Sequence, residues 1–166
     1  DGSLLRVSAP INVQEELSAA TYMVAQEENS PALLFENIEN DNSGIRILSN
    51  MLGASKRRYA LAVGLDPNLT TRELILATRE RSKRTLAPVE VPANTAPVNE
   101  IILTDDEIDL TKLPVPHFWP RDGGKYIGTG DITFTRDPES ERINVGCYRQ
   151  MLHGPRRLQA LCCRLT

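Results

Sequence analysis

The sequence is poor in aromatic side chains: Phe, Trp and Tyr make up 5% of its 166 residues, so any core must be mostly aliphatic. It has no excess of basic charge. Lys and Arg number 19 against 22 Asp and Glu, a net charge of -3, and a nucleic-acid binder would show the opposite balance. It has no apolar run near the ~20 residues of a membrane span. The stretch from Ile45 to Ala54 comes nearest and is followed by Lys56, Arg57 and Arg58. No basic segment followed by an apolar one opens the chain, so no signal-peptide pattern is visible. Cysteine is scarce and odd in number. Cys147, Cys162 and Cys163 all fall near the end, which makes no disulfide framework and matches no common zinc spacing. Reduced structural thiols in a cytoplasmic protein are the expectation. Histidine is limited to His117 and His153. Neither has a second histidine at ligand spacing, and structural roles are expected for both, with His117 at the surface.

What is present is an ordinary globular composition, 40% hydrophobic and 25% charged, which excludes a disordered or fibrous chain. Leu4–Val7 reads as a short strand. Asn12 is placed to cap a helix over Val13–Gln26, with Leu17, Ala20 and Tyr22 to Val24 on its apolar side. Ala32–Phe35 reads as a buried strand and Ile45–Ser49 as another. Ser55 caps a helix ended by Gly64. Thr70 or Thr71, with Glu73 following, opens a further helix. Its basic end, Arg79, Arg81, Lys83 and Arg84, suits the negative pole of the helix dipole without any ligand. Pro88–Pro97 is extended, Val98–Leu103 is strand-like, and Asp105–Pro120 is a boundary rich in acids and prolines. Beyond it the pattern is β: Tyr126–Ile127, a hairpin pairing Thr133–Thr135 with Ile143–Val145, and a strand running on to Gln150. The fold class is α+β, with a mixed α/β unit over residues 1–110 and a β unit over 111–166. Asp1 leads straight into a strand and Thr166 follows an apolar run with no turn signal, so a piece of a longer protein is expected.

Two features could carry chemistry. The run Asp122-Gly123-Gly124-Lys125-Tyr126-Ile127-Gly128-Thr129-Gly130 is dense in glycine, as close backbone approach or tight turns require. It is neither a dinucleotide fingerprint, since no helix follows, nor a P-loop; on local pattern two tight turns flanking a strand are the favoured account. In the strand beyond, period two puts Asn144, Gly146, Tyr148 and Gln150 on one face and Val145, Cys147 and Arg149 on the other. A half-buried Arg149 needs an anionic partner: a carboxylate side chain, a phosphate or a carboxylate substrate.

Several separated blocks together resemble the UbiD family of decarboxylases. They are Leu4–Val7 with Pro10-Ile11, Pro31–Ile38, Arg58–Leu65, Leu113–Pro116, the Asp122–Gly130 run, Ile132-Thr133 with Asp137-Pro138, and Ile143–Gln150. The resemblance implies reversible, non-oxidative decarboxylation of an aromatic or α,β-unsaturated acid by prenylated FMN, a cofactor supplied by a flavin prenyltransferase. It implies a divalent metal, typically manganese, with potassium beside it. It implies an α/β domain before a split β-barrel that holds the flavin, and a homo-oligomer in the full-length form. By position, Asn144 matches the family's metal-ligating Asn, and an amide oxygen suits a hard cation. Cys147, Tyr148 and Arg149 match a flavin-contacting segment. Arg149 matches the Arg that pairs with a catalytic Glu and meets the substrate carboxylate. Thr129 matches a residue near the flavin. The family's other metal ligands, a His and a Glu, and its further acids have no counterpart up to Thr166. The stretch Leu158–Thr166 departs from the family, and no function passes to Cys162, Cys163 or Arg164. The chain alone is therefore expected to be inactive. The other readings are a noncatalytic truncated or assembly module derived from that fold, which buries an open barrel edge, and an unrelated flavin or anion-binding domain that shares glycine-rich turns.

Overall fold

The computed structural model describes residues 2–53 and 55–160. Cys162, Cys163 and Arg164, for which no function is expected, lie outside them. The first sheet joins β1 (Leu4–Val7), β2 (Ala32–Phe35) and β3 (Ile47–Ser49). β2 lies in the middle, parallel to β1 and antiparallel to β3. Its Ala-Leu-Leu-Phe run has the continuous apolar character of a strand covered on both faces, and Ala32, Leu33 and Phe35 are buried. Helix α1 (Glu16–Ala25) makes the crossover between the two parallel strands, as such a pair requires. Leu17, Ala20 and Val24 follow helical spacing and pack with Leu33, Phe35, Ile11 and Ile38 into one core. Burying a Leu or Phe side chain stabilises by about 1.5–3 kcal/mol, so this small cluster anchors the first half of the chain.

Two helices follow. Ser55 caps α2 (Lys56–Ala62), its hydroxyl accepting from Arg58 N, and Gly64 turns the chain out at φ 66°. Thr70 caps α3 (Thr71–Arg81) with a full capping box: its hydroxyl accepts from Glu73 N, and the Glu73 carboxylate accepts from Thr70 N. Arg79, Arg81, Lys83 and Arg84 are exposed, as a solvated helix end predicts, and Arg81 also donates to the Gly64 carbonyl.

Past residue 100 lie short 3-10 turns, then a second sheet in the order β4 (Tyr126–Gly128), β7 (Gln150–Leu152), β8 (Leu158–Ala160), and a separate hairpin of β5 (Ile132–Arg136) and β6 (Ile143–Cys147). The α+β class holds. The hairpin register pairs Thr133 with Gly146, Phe134 with Val145 and Thr135 with Asn144.

Four local expectations fail. Val98–Leu103 forms no strand: Pro97–Asn99 is a 3-10 turn, and Ile101, Ile102 and Leu103 are exposed. β propensity alone does not make a strand without a neighbouring edge to pair with. The first helix starts at Glu16 rather than Val13, because residues 12–15 are committed elsewhere. The Asn12 side chain accepts from Gln14 N, and Gln14 bridges to His117. The strand from Ile143 does not run on to Gln150; it stops at Cys147, and Gln150 begins β7 in the other sheet. His117 is not at the surface, its side chain being 13% exposed.

Candidate functional site

His117 ties the two halves of the chain together. Its backbone N donates to Val13 O at 3.0 Å, and its carbonyl accepts from Glu15 N at 2.9 Å. Its Nδ1 lies 2.7 Å from Gln14 Nε2, and its Nε2 lies 3.1 Å from the Asp122 carbonyl. An amide nitrogen only donates and a carbonyl only accepts, so the Nε2–H tautomer satisfies both partners. The ring thus fixes the start of the glycine-rich run.

That run is a strand entered and left by turns. Exposure alternates along it, with Asp122, Gly124, Tyr126 and Gly128 turned inward. Tyr126 N donates to Pro116 O, and Tyr126 pairs with Met151 of β7. Gly128 is required by a close approach. A Cβ there would stand 2.2 Å from Asp131 Oδ1, so the carboxylate occupies the space a side chain would take. Gln150 Nε2 holds that carboxylate at 2.8 Å and also donates to Thr133 Oγ1 at 3.0 Å. Asp131 Oδ1 is buried and has no hydrogen-bond partner among the described residues.

The break at residues 148–149 is where the predicted residues gather. Tyr148 folds its ring back over Gly146, where a Cβ would lie 2.8 Å from the ring. Its hydroxyl then accepts from Asn144 Nδ2 at 3.2 Å. Arg149 turns the other way. Its Nη2 donates to Asp122 Oδ2 at 2.9 Å, and its guanidinium lies 3.9 Å from the centre of the Tyr126 ring. The Arg149 side chain is 48% exposed and that of Asp122 only 12%. Of the anionic partners weighed for Arg149, a carboxylate side chain is the one within reach, and Arg149 no longer shares a face with Val145 and Cys147.

Asn144 and Tyr148 are therefore joined, and Arg149 is next to them in sequence but aimed at the glycine-rich strand. Cys147 is not with them. It is paired with Ile132 on the opposite face of the hairpin, a face that also carries the exposed Phe134, Val145 and Ile143. Thr129 stands apart too. It lines a cleft of about 390 Å3 with Arg46, Leu48, Val115, Phe118 and Tyr126. Asp122, Tyr126 and Gln150 were not singled out by sequence. The signal for Asp122 was available, an acid at the head of the glycine-rich run and a lone arginine in need of an anion. The pairing spans 27 positions, beyond the reach of local pattern.

Among the described residues no three His, Cys, Asp or Glu side chains gather as a metal site. No helix among them is long and apolar enough to cross a membrane.

Two family models match in tandem. The 3-octaprenyl-4-hydroxybenzoate carboxy-lyase N-terminal domain matches residues 1–78, and the Rift-related domain of the same carboxy-lyase matches residues 89–164. Solved structures agree. Vanillic acid decarboxylase of Sedimentibacter hydroxybenzoicus, in its closed form, is 30% identical with a TM-score of 0.83 over 96% of this chain and 34% of its own. The 3,4-dihydroxybenzoic acid decarboxylase of Klebsiella pneumoniae, in apo form, is 28% identical with a TM-score of 0.82, covering 98% of this chain and 34% of its own. An evolved dimeric form of the UbiD-class enzyme HmfF from Pelotomaculum thermopropionicum, in complex with prFMN, is 28% identical with a TM-score of 0.79, covering 98% and 35%. The chain spans about a third of the length of these relatives. With the two models lying end to end and the relatives following the fold across almost its whole length, the chain belongs to the UbiD family of carboxy-lyases.

Proposed function

We propose that this chain forms part of an enzyme that decarboxylates, reversibly and without oxidation, an aromatic or α,β-unsaturated carboxylic acid with prenylated FMN. Residues 1–110 would serve as the α/β support and 111–166 as the opening strands of the flavin unit. The relatives supply the reaction class, two being decarboxylases of aromatic acids and one a complex with prFMN. The observation that carries the reading onto this chain is the divergence at residues 148–149. From one break between strands, Tyr148 holds the Asn144 amide while Arg149 presents a half-exposed guanidinium.

The residues fit such a group in part. Asn144 is exposed on the polar face of the hairpin, opposite Thr135. With Nδ2 committed to Tyr148, the amide oxygen is the atom suited to a divalent cation. Asn144 is one ligand and not a site, so the cation would take its remaining ligands from the flavin phosphate and from acids or imidazoles outside the described residues. Gly146 leaves room for the Tyr148 ring, and Tyr148 would border the flavin on the Asn144 face; Cys147 on the opposite hairpin face and Thr129 in its own cleft would meet it only if strands outside the described residues bring them round.

Bound prenylated FMN would supply the electron sink for the charge left as carbon dioxide departs. Arg149 would bind and orient the carboxylate through the donors that Asp122 leaves open, and would hold it ionised until the bond breaks. Asn144 would supply an amide oxygen to a cation that accompanies the cofactor. The proton that replaces carbon dioxide is assigned to an acid outside the described residues.

The test is carbon dioxide release by the whole protein, loaded with prenylated FMN and Mn2+ and offered aromatic and α,β-unsaturated acids. Turnover that Arg149→Ala reduces by two or more orders of magnitude is the expected result. A loaded wild-type protein that releases no carbon dioxide from any such acid, yet assembles through the exposed Ile132, Phe134 and Val145 face, would favour the noncatalytic assembly module instead.

A further inference from the structure

We propose that Asp122 and Tyr126 are positioning residues for Arg149, which together set the angle and the effective charge its guanidinium presents to a carboxylate. The inference rests on the reading of Arg149 given above.

Three observations carry it. First, both partners stand on fixed backbone. Asp122 N donates to Trp119 O at 2.9 Å, and the Asp122 carbonyl is held by the His117 ring. Tyr126 is bound on one side to Pro116 and on the other to β7. Second, the contact is one-pointed. A single Nη2 reaches Asp122 Oδ2, while the central carbon of the guanidinium lies over the Tyr126 ring, 3.9 Å from its centre. The ring holds the guanidinium from one side and the carboxylate from another, and among the described residues no other hydrogen bond engages its remaining N–H donors. Third, exposure is unequal. Asp122 is 12% exposed and Arg149 48%. A carboxylate so far removed from water is costly to leave unpaired, so the contact persists although Arg149 itself borders solvent.

A consequence follows for specificity. An incoming carboxylate meets a cation already partly neutralised by Asp122. It is held for its geometry more than for its charge, and a misoriented acid gains little.

Asp122→Asn keeps the size and an acceptor oxygen but removes the competing charge. The probes are benzoate and its neutral analogue benzamide, titrated calorimetrically into the whole flavin-free protein. Asp122→Asn is expected to bind benzoate roughly two- to fivefold more tightly, the range of one partly exposed charge contact, with benzamide unchanged. A residue with a merely structural role would weaken both. In an Arg149→Ala background the Asp122→Asn effect should vanish. Tyr126→Phe should match wild type, because the ring remains. Tyr126→Leu should cut the preference for benzoate over benzamide several-fold.

The outcomes separate the two levels. If Arg149→Ala removes the benzoate preference but Asp122→Asn leaves it equal or weaker, the positioning role is overturned and the reading of Arg149 stands. Should Arg149→Ala leave the preference intact, or wild type show none, both fall. An Asp122→Asn effect that survives in the Arg149→Ala background also overturns the positioning role.

Discussion

Gly146→Ala gives the sharpest structural prediction. A Cβ at this position would lie 2.8 Å from Tyr148 Cε2 and 2.9 Å from Cζ and the hydroxyl oxygen, well inside van der Waals contact. The neighbour is a rigid ring, not the loose end of a flexible chain, so Tyr148 has to swing away. Its hydroxyl then leaves Asn144 Nδ2, a bond of 3.2 Å. Overpacking of this kind costs about 1–3 kcal/mol, and the lost hydrogen bond about 0.5–1.5 kcal/mol. Alanine recovers about 0.4–1 kcal/mol by restricting the unfolded chain. The net is a destabilisation of about 2 kcal/mol, or roughly 4–8 °C in melting temperature for a domain of this size. Gly130→Ala is the matched control. It sits in the same unit, has no heavy atom within 4 Å of its Cβ position and lies outside the left-handed region. It should be neutral or raise the melting temperature slightly. Thermal unfolding of both variants followed by circular dichroism reads the difference. Equal melting temperatures for the two would refute the account of the Tyr148 ring and with it the physical reason for Asn144's orientation.

Two further predictions concern the supporting fold. Phe35→Ala, at 1% exposure in the central strand, should lose about 3–5 kcal/mol, whereas Leu86→Ala, at 92% exposure, should stay within about 0.5 kcal/mol, both by urea denaturation. Thr70→Ala removes an N-cap hydroxyl worth about 1 kcal/mol and also changes the acid response. The hydroxyl and amide of Thr70 hold the Glu73 carboxyl below its ordinary value of 4.5. A carboxyl lowered in the folded state stabilises above its unfolded value, and the stabilisation is lost as pH falls through 4.5 toward the folded value. Thr70→Ala should therefore flatten the stability profile in that acid window, and an unchanged acid slope would count against the capping box.

How much of this was legible in the sequence depended on distance along the chain. The Ser55 and Thr70 caps were readable because each bond closes within three positions. The apolar Ala32–Phe35 run and the β5–β6 hairpin were readable because burial and turn chemistry are local signals. Period two placed Asn144 with Gly146 and opposite Cys147 and failed past Cys147. There, strand geometry gives way to two long-range demands, Tyr148 over Gly146 and Arg149 toward Asp122. The late start of α1 has the same origin, since its cause is a bridge from Gln14 to His117, 103 positions away. Val98–Leu103 carries strand-forming residues, but among the described residues no strand edge pairs with it.

The most direct test of the proposed function is cofactor retention by the whole protein. Wild type and Asn144→Ala are loaded with prenylated FMN in the presence of Mn2+, passed through gel filtration with and without a chelator, and read by flavin absorbance. The account predicts that wild type keeps its flavin, that the chelator strips it, and that Asn144→Ala retains at least about tenfold less, the loss that even an outer-shell partner of a metal ligand causes. Equal, chelator-insensitive retention by the two proteins would contradict it.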